Sequence, residues 1–428
     1  MTSSPHLAIS NYYQATANAA PAYPVLQGAQ HADVCVIGGG VAGCATALHL
    51  AQRGYRVILL EAERIGFGAS GRSGGQLLPG YSCGQAALVA QLGESLARQL
   101  WDLSVEAVQL ATQLIDTHTI DCDLHCGHLE VAIKPRQRIA LQRHQAELAE
   151  RHQYAHLQFL ERDEVRQWLS TDRYCAALYD SAAAHVHPLN YTLGLAGAAA
   201  NAGASLHEHS RVINISGEQT LQIKTATGTV TAKQAVLCCN AYVEALSKPL
   251  AQRIMPVATY IVATEALGAG RIQALMPNNV AVADNNFILD YFRRSTDHRL
   301  LFGGRVSYSG HDIGNTAAAT RRRMLQVFPQ LADARINYSW GGLIDITFNR
   351  APDFGRIQPN LYYLQGFSGH GMALAGMAGK LAAEAIAGQM ERFDLYAKLQ
   401  HRHFPGGPWL RTPALVLAML WYRLRDLI

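Results

Sequence analysis

The sequence predicts an α/β protein of two units: a Rossmann-like nucleotide-binding domain that is discontinuous along the chain, and a second, strand-rich α+β unit. Three observations carry this reading. Residues 33–60 run strand, glycine turn, small-residue helix, strand, which is a βαβ unit opening a parallel sheet. Patterns that would complete the same sheet return only at 189–237, after a long excursion. A third stretch, 336–387, leads glycine-rich strands into a last helix.

Residues 1–30, rich in Ala, Pro, Tyr and Ser without a period, read as an extended arm that only tertiary contacts would order. The first strand is expected at 33–37, its helix at 41–53 with Gly54 as the stop, and the second strand at 56–60. Residues 90–175 read as mainly helical with one strand-like stretch at 127–133, and as part of a different unit. A helix at 189–201 and a β meander over 205–237 return to the nucleotide domain. Strands at 254–264, 280–292 and 299–306, a helix at 317–328 and strands within 336–366 would form a sheet that roofs a cofactor. The last helix, 371–387, has a small-residue face, Ala373, Gly376, Gly379 and Ala383, suited to close packing on a sheet. The expected division is an arm at 1–30; a nucleotide domain at 31–90, 186–253 and 350–392; a second unit at 91–185 and 254–349; and a tail helix at 393–428.

Composition narrows the function classes. With 428 residues and 49% apolar content the chain can bury more than one core. The net charge is only +4 and the arginines are scattered, so nothing recommends a nucleic-acid partner. Cys35, Cys44, Cys83, Cys122, Cys126, Cys175, Cys238 and Cys239 lack small-domain disulfide spacing, and no basic-then-apolar leader opens the sequence. A reducing, cytoplasmic setting is expected. The apolar run at 414–422 falls short of the ~20 residues that span a bilayer. A tail helix packed on its own protein is the favoured reading; contact with a membrane surface or another subunit, suggested by Arg411, Arg423 and Arg425, is the alternative, and the oligomeric state is left open.

The chemistry concentrates in three loops. Gly38, Gly40 and Gly43 form G-x-G-x-x-G between a strand and a helix, and Glu61 ends the next strand. Glycines let backbone approach a pyrophosphate, the helix N-terminus supplies free N–H groups, and the acid can accept ribose hydroxyls. The second loop, Gly66-Phe67-Gly68-Ala69-Ser70-Gly71-Arg72-Ser73-Gly74-Gly75-Gln76, is polar, rich in backbone donors and carries one cation. The third, Gly366-Phe367-Ser368-Gly369-His370-Gly371-Met372, precedes the last helix, whose N-terminus would stabilise negative charge on a flavin's pyrimidine edge.

These loops, with 235–246, 340–356, 366–388 and the terminal stretch from Phe404 to Leu427, resemble the D-amino-acid-oxidase-like FAD oxidoreductases, and within them the γ-glutamylputrescine oxidase branch. The resemblance implies an FAD-binding domain plus an antiparallel-sheet substrate domain. It also implies hydride transfer from an amine-bearing carbon to flavin N5, giving an aldehyde and ammonia, with O2 or another acceptor reoxidising the flavin. At matching positions it implies cofactor contacts from Gly38, Gly40, Val41, Ala42, Gly43, Glu61, Ala62, Ala69, Ser70, Gly71, Arg72, Ser73, Gly75, Gln76, Leu77, Val212, Asn240, Gly342, Gly369, His370, Gly371 and Met372. His370, Asp345, Trp340 and Tyr260 are the candidates for catalysis or substrate contact. Some relatives bind flavin covalently through a histidine near the second loop or a cysteine near the third. Residues 70–76 hold no histidine and no cysteine follows Cys239, so a non-covalent FAD is expected.

Relatives that oxidise free α-amino acids carry an arginine just after the glycine of the Trp340-Gly341-Gly342 stretch. Leu343, Ile344 and Asp345 stand here instead, which points to a small-molecule amine without an α-carboxylate, a γ-glutamylated polyamine foremost. The alternatives are a D-amino-acid or N-methylglycine oxidase or dehydrogenase, and a non-catalytic protein stabilised by its flavin. Cys122, His125, Cys126 and His128 crowd soft ligands together, but their spacing matches no common zinc pattern and no metal is expected. Tyr260, Tyr291, Trp340 and Phe348 are candidate walls of an aromatic cavity, each also readable as core.

Overall fold

A computed structural model describes residues 11–286, 289–307 and 316–404. The apolar run at 414–422 and most of the expected tail helix lie outside them.

The nucleotide-binding sheet takes its parallel strands from three separated stretches. Gly28–Ile37 lies between Val57–Leu60 and Gly228–Leu237; Ser205–His207 extends one side, and Leu361–Gln365 the other. Asp353–Gln358 closes that second side antiparallel to Leu361–Gln365. The first strand starts earlier than expected because residues 28–32 pair with Gly228–Ala232, a partner that no local pattern announces.

Every residue of helix Val41–Ala51 is buried, the polar Thr46 and His49 included. One face covers the sheet and another meets Gly371–Ile386. A Cβ on Gly379 would come within 2.6 Å of the Thr46 nitrogen. The small-residue face of the last helix is therefore spent on helix-to-helix contact, not on the sheet as expected from sequence.

Among the described residues the second sheet has nine strands. It runs from Ile336–Thr347 through Ile254–Thr264, Leu300–Ser307, Tyr291–Arg294, Ala281–Asp284, His125–Ala132 and Ala176–His185 to the short Gln76–Leu77. Leu157–Glu161 flanks Ala176–His185. All pairings are antiparallel except that of Ala281–Asp284 with His125–Ala132. Helix Glu94–Thr117, expected in the second unit, buries Leu100, Leu103, Ala107, Ala111 and Leu114 in the same core as Val41–Ala51 and Gly371–Ile386. Among the described residues no helix is long and apolar enough to cross a membrane.

The N-terminal arm is more ordered than its composition suggests. Asn11 caps a helical turn, Tyr12–Ala15, by accepting the Tyr13 N–H at 3.0 Å, and both tyrosines are buried. Nearby, His187 Nδ1 accepts the Asn190 N–H at 3.1 Å and so caps helix Pro188–Asn201. Burial, reinforced by the Arg293 charge, lowers the pKa of His187 from 6.5 to about 4. The unfolded chain therefore takes up this proton first, so the residue's contribution to stability is complete above about pH 6.5 and is lost as pH falls toward 4. His187→Asn, which still caps, should lose stability less steeply than wild type across that window, by up to about 1.4 kcal/mol per pH unit. Parallel pH profiles in chemical denaturation would contradict this.

Candidate functional site

The glycine turn after Gly28–Ile37 is dictated by backbone crowding. Gly38 has φ +114°, and a Cβ there would fall 2.4 Å from the Cys238 carbonyl oxygen; one on Gly43 would fall 1.8 Å from the Gly38 oxygen. Gly40 is different, since its only near neighbour is Ser70 Oγ at 2.8 Å. Ser70 Oγ also accepts the Val41 N–H at 3.0 Å. The N-terminus of Val41–Ala51 thus opens toward the second loop with one donor held by a hydroxyl, a cradle that fits a pyrophosphate and that a Cβ on Gly40 would enter.

Glu61, just past Val57–Leu60, accepts the Gly39 N–H at 2.6 Å and the Glu63 N–H at 2.8 Å. Burial raises its pKa, against the opposing pull of those two donors. The carboxylate therefore shapes the loop and also faces the cleft. Glu61→Gln should weaken FAD binding by about 1.5–3 kcal/mol, the range for a hydrogen bond to a charged group, while leaving turnover at saturating FAD nearly unchanged. Flavin titration and turnover at saturation separate the two effects, and a large fall in saturated turnover would assign the acid another role.

One cleft crosses the carboxyl ends of the parallel strands, where open α/β sheets receive nucleotides. Of the residues expected to touch cofactor, Gly38, Gly40, Val41, Ala42, Glu61, Ala62, Ala69, Ser70, Ser73, Val212, Asn240, Gly369, Gly371 and Met372 line it, as does Asp345. The structure adds Ile37, Gly39, Leu60, Glu63, Phe67, Gly68, Arg211, Cys238, Cys239, Tyr242, Ala245, Leu246, Ile344, Phe367 and Ala375. Most of these sit one or two positions from an expected residue, so the strand ends themselves are the signal. Ala245, Leu246 and Ala375 are the exceptions. Arg211, next to Val212, pairs with Glu63 at 2.6 Å. Burial holds both cleft cysteines protonated, Cys239 with a pKa of about 12.

Other expected residues stand behind the cleft. Gly43 lies under the turn, and Gln76 and Leu77 join the second sheet against His185 and Ala184. Gly71 and Gly75 would place a Cβ 2.2 Å from the Gly66 oxygen and 2.1 Å from the Val186 oxygen, so both are packing positions. The Arg72 guanidinium donates to the carbonyls of Phe67 at 2.7 Å and Gly341 at 3.1 Å and lies over the Phe67 ring; burial lowers its pKa. Gly342 faces the Arg72 side chain. The Trp340 indole N–H donates to the Arg72 carbonyl at 3.0 Å, and the Tyr260 ring lies over Gly341, where a Cβ would approach it to 2.9 Å. His370 Nε2 is 3.1 Å from the Pro79 oxygen, and burial lowers its pKa.

Asp345 has no exposed surface. Its carboxylate accepts the Gly366 N–H and, at 3.1 Å, the Asn240 amide, while its carbonyl accepts the Ser368 N–H at 2.9 Å. It ties Ile336–Thr347 to the third loop, and burial pushes its pKa up to about 7. Next to it, Ile344 Cδ1 lies 3.4 Å from where a Cβ on Gly369 would stand. Of the soft-ligand cluster, Cys122 is buried and Cys126 exposed; among the described residues no group of three His, Cys, Asp or Glu could hold a metal.

Comparison with known proteins accords with this geometry. The family described as FAD dependent oxidoreductase (DAO) matches residues 33–385. The gamma-glutamylputrescine oxidoreductase of Escherichia coli (strain K12) is 40% identical over 97% of this chain and 98% of its own. The glycine oxidase of Geobacillus kaustophilus (strain HTA426) is 26% identical over 87% of this chain and 97% of its own. A crystal structure of glycine oxidase from Geobacillus kaustophilus shares the fold with a TM-score of 0.74, at 24% identity, over 87% of this chain and 99% of that one. A glycine turn, an acid at the end of the next strand and a helix N-terminus converge on one cleft, and the match spans most of the chain: the protein is an enzyme of the FAD dependent oxidoreductase (DAO) family.

Proposed function

We propose that this enzyme oxidises primary amines whose reacting carbon bears no carboxylate, with γ-glutamylated polyamines as the substrate class and FAD bound non-covalently. The observation that carries the reading is the pairing of Ile344 with Gly369 beside Asp345. Where an arginine clamp for an α-carboxylate would be needed, the cleft offers an apolar side chain, no side chain and an acid. The 40% identity to a gamma-glutamylputrescine oxidoreductase supports the same class.

FAD, when bound, would supply two-electron oxidation of the amine-bearing carbon to an imine, which water would hydrolyse to aldehyde and ammonia, with O2 as the terminal acceptor giving H2O2. The chain's own part is to bind and orient. Gly371 and Met372, which open Gly371–Ile386, line the cleft, and their free backbone N–H groups would stabilise negative charge on the flavin. Asp345 and Trp340 are positioning residues, holding the third and second loops respectively. His370 fixes the start of the last helix against Pro79, and Tyr260 packs over Gly341.

Non-covalent attachment is supported by the protonated state of Cys238 and Cys239, which makes them poor nucleophiles. Acid precipitation should leave the flavin in the supernatant; yellow pellets would contradict it. The function itself is tested by anaerobic mixing with γ-glutamylputrescine. Bleaching of the flavin absorbance is expected, and an oxidised spectrum that persists at saturating amine would overturn the proposal.

A further inference from the structure

The second loop has two edges. Phe67, Gly68, Ala69, Ser70 and Ser73 form the edge that lines the cleft. The opposite edge is gripped by residues that never reach the cleft. Arg293 donates from Nε to the Gly74 carbonyl at 3.0 Å and from Nη2 to the Val186 carbonyl at 3.0 Å. The same Nη2 donates to the Tyr13 hydroxyl at 3.3 Å, and the guanidinium lies 5.7 Å from that ring's centre. Asn11 donates its amide to the Gly71 carbonyl at 3.3 Å. Trp340, whose indole N–H holds the Arg72 carbonyl, packs edge-on against Tyr13 at 5.3 Å.

The arm itself is anchored elsewhere. The Tyr12 hydroxyl donates to Asp297 at 2.6 Å, Thr16 Oγ1 is 3.1 Å from His187 Nε2, and the Asn18 N–H donates to the Asn190 side chain at 2.9 Å. Because His187 Nδ1 already accepts the Asn190 N–H, Nε2 carries the proton and donates to Thr16. Asn11, Tyr12, Tyr13 and Arg293 are all at least nine-tenths buried. Asp297 sits in the turn joining Tyr291–Arg294 to Leu300–Ser307 of the second sheet, His187 caps helix Pro188–Asn201 and Asn190 lies within it, so the arm bridges these elements and the loop. It also precedes residue 33, where the family match begins.

We infer that residues 11–18 form a clamp that acts through Arg293 to hold the second loop in its flavin-binding conformation, so that the arm sets how long the cofactor stays bound. The inference rests on the reading of this cleft as the FAD site. The physical basis is preorganisation. A glycine-rich loop loses much conformational freedom on closing around a ligand, and a loop already pinned along its far edge loses less. Weakening the clamp should therefore speed flavin release without touching any group that meets the flavin.

The test uses purified holoenzyme, diluted, with release followed by the rise in free-flavin fluorescence. Tyr13→Phe removes one hydroxyl and keeps the ring; Arg293→Met removes every donor. Release should quicken about threefold in the first and about tenfold or more in the second, the span expected for one weak and several charge-assisted hydrogen bonds. The double variant should be no worse than Arg293→Met alone, because the hydroxyl acts through the guanidinium. Val165→Ala, in the separate core beneath the second sheet, provides a variant of comparable destabilisation that should release flavin at the wild-type rate. Unchanged release in both clamp variants, or equal acceleration in Val165→Ala, would overturn the clamp. Wild-type protein that binds no FAD would overturn the site reading and the clamp together.

Discussion

Gly43→Ala is expected to yield protein without bound FAD, because the new methyl carbon would sit 1.8 Å from the Gly38 oxygen in a turn with no room to relax. Gly38 is itself confined by the Cys238 carbonyl, and Val36 Cγ1 lies 3.4 Å from the same methyl. Relief requires moving the N-terminus of Val41–Ala51, whose backbone donors would meet the pyrophosphate. Overpacking of this kind costs about 1–3 kcal/mol in stability. The functional loss should be larger, since displaced N–H groups no longer converge on one anion. Gly197→Ala is the internal control. It lies within helix Pro188–Asn201 with nothing within 4 Å of its Cβ position, and should be neutral or stabilising by roughly 0.4–1 kcal/mol. Comparing A450 to A280 ratios and denaturation midpoints of the two variants decides the matter. Full flavin content in Gly43→Ala would show that the cofactor does not use this turn.

The second large effect is substrate discrimination. For γ-glutamylputrescine against D-alanine or N-methylglycine, kcat/KM should differ by at least about a hundredfold, equivalent to about 2.7 kcal/mol in the transition state. An α-carboxylate brought beside Ile344 and Asp345 would be stripped of water without an arginine at either position to receive it, whereas carboxylates remote from the reacting end avoid that cost. With the Asp345 pKa near about 7, its repulsion of a carboxylate should strengthen as pH rises through that value. Asp345→Asn does not isolate the charge. Two donors, the Gly366 N–H and the Asn240 amide, converge on the carboxylate, and an asparagine would set its own donors against one of them. Ile344→Arg is the cleaner probe and should narrow the gap by supplying the missing partner. A wild-type preference for D-alanine or N-methylglycine would sink the amine reading.

Much of the fold was legible because its signals are local. The turn at Gly38–Gly43, the small-residue helix after it and the acid at position 61 each follow from spacing within one βαβ unit. What escaped depends on distant partners. Leu157–Glu161 is five residues long, and its strand character comes from pairing with Ala176–His185, not from a pattern of its own. Residues 28–32 and 11–15 gain their structure from Gly228–Ala232 and from an aromatic cluster around Trp340. The site shows the same division. Glycines required by tight backbone were readable as glycines, but sequence could not tell those that line the cleft, such as Gly40, from those that meet another carbonyl, such as Gly43 and Gly75. Arg72 looked like a ligand-binding cation; two backbone carbonyls claim it.

The order of strands in the nucleotide sheet has a consequence for biosynthesis. The glycine turn, Glu61 and Ser70 are all made within the first 70 residues, yet the floor of the cleft on the other side needs Leu361–Gln365 and the helix that follows, about 290 residues later. At roughly 5–20 residues per second that gap is about 15–60 s of translation. Throughout it, the apolar flank of Val41–Ala51 that Gly371–Ile386 finally covers has no native partner. A ribosome-bound chain stalled before residue 361 should therefore be colourless in the presence of FAD and should recruit holdase chaperones, and release of the complete chain should end both conditions at once.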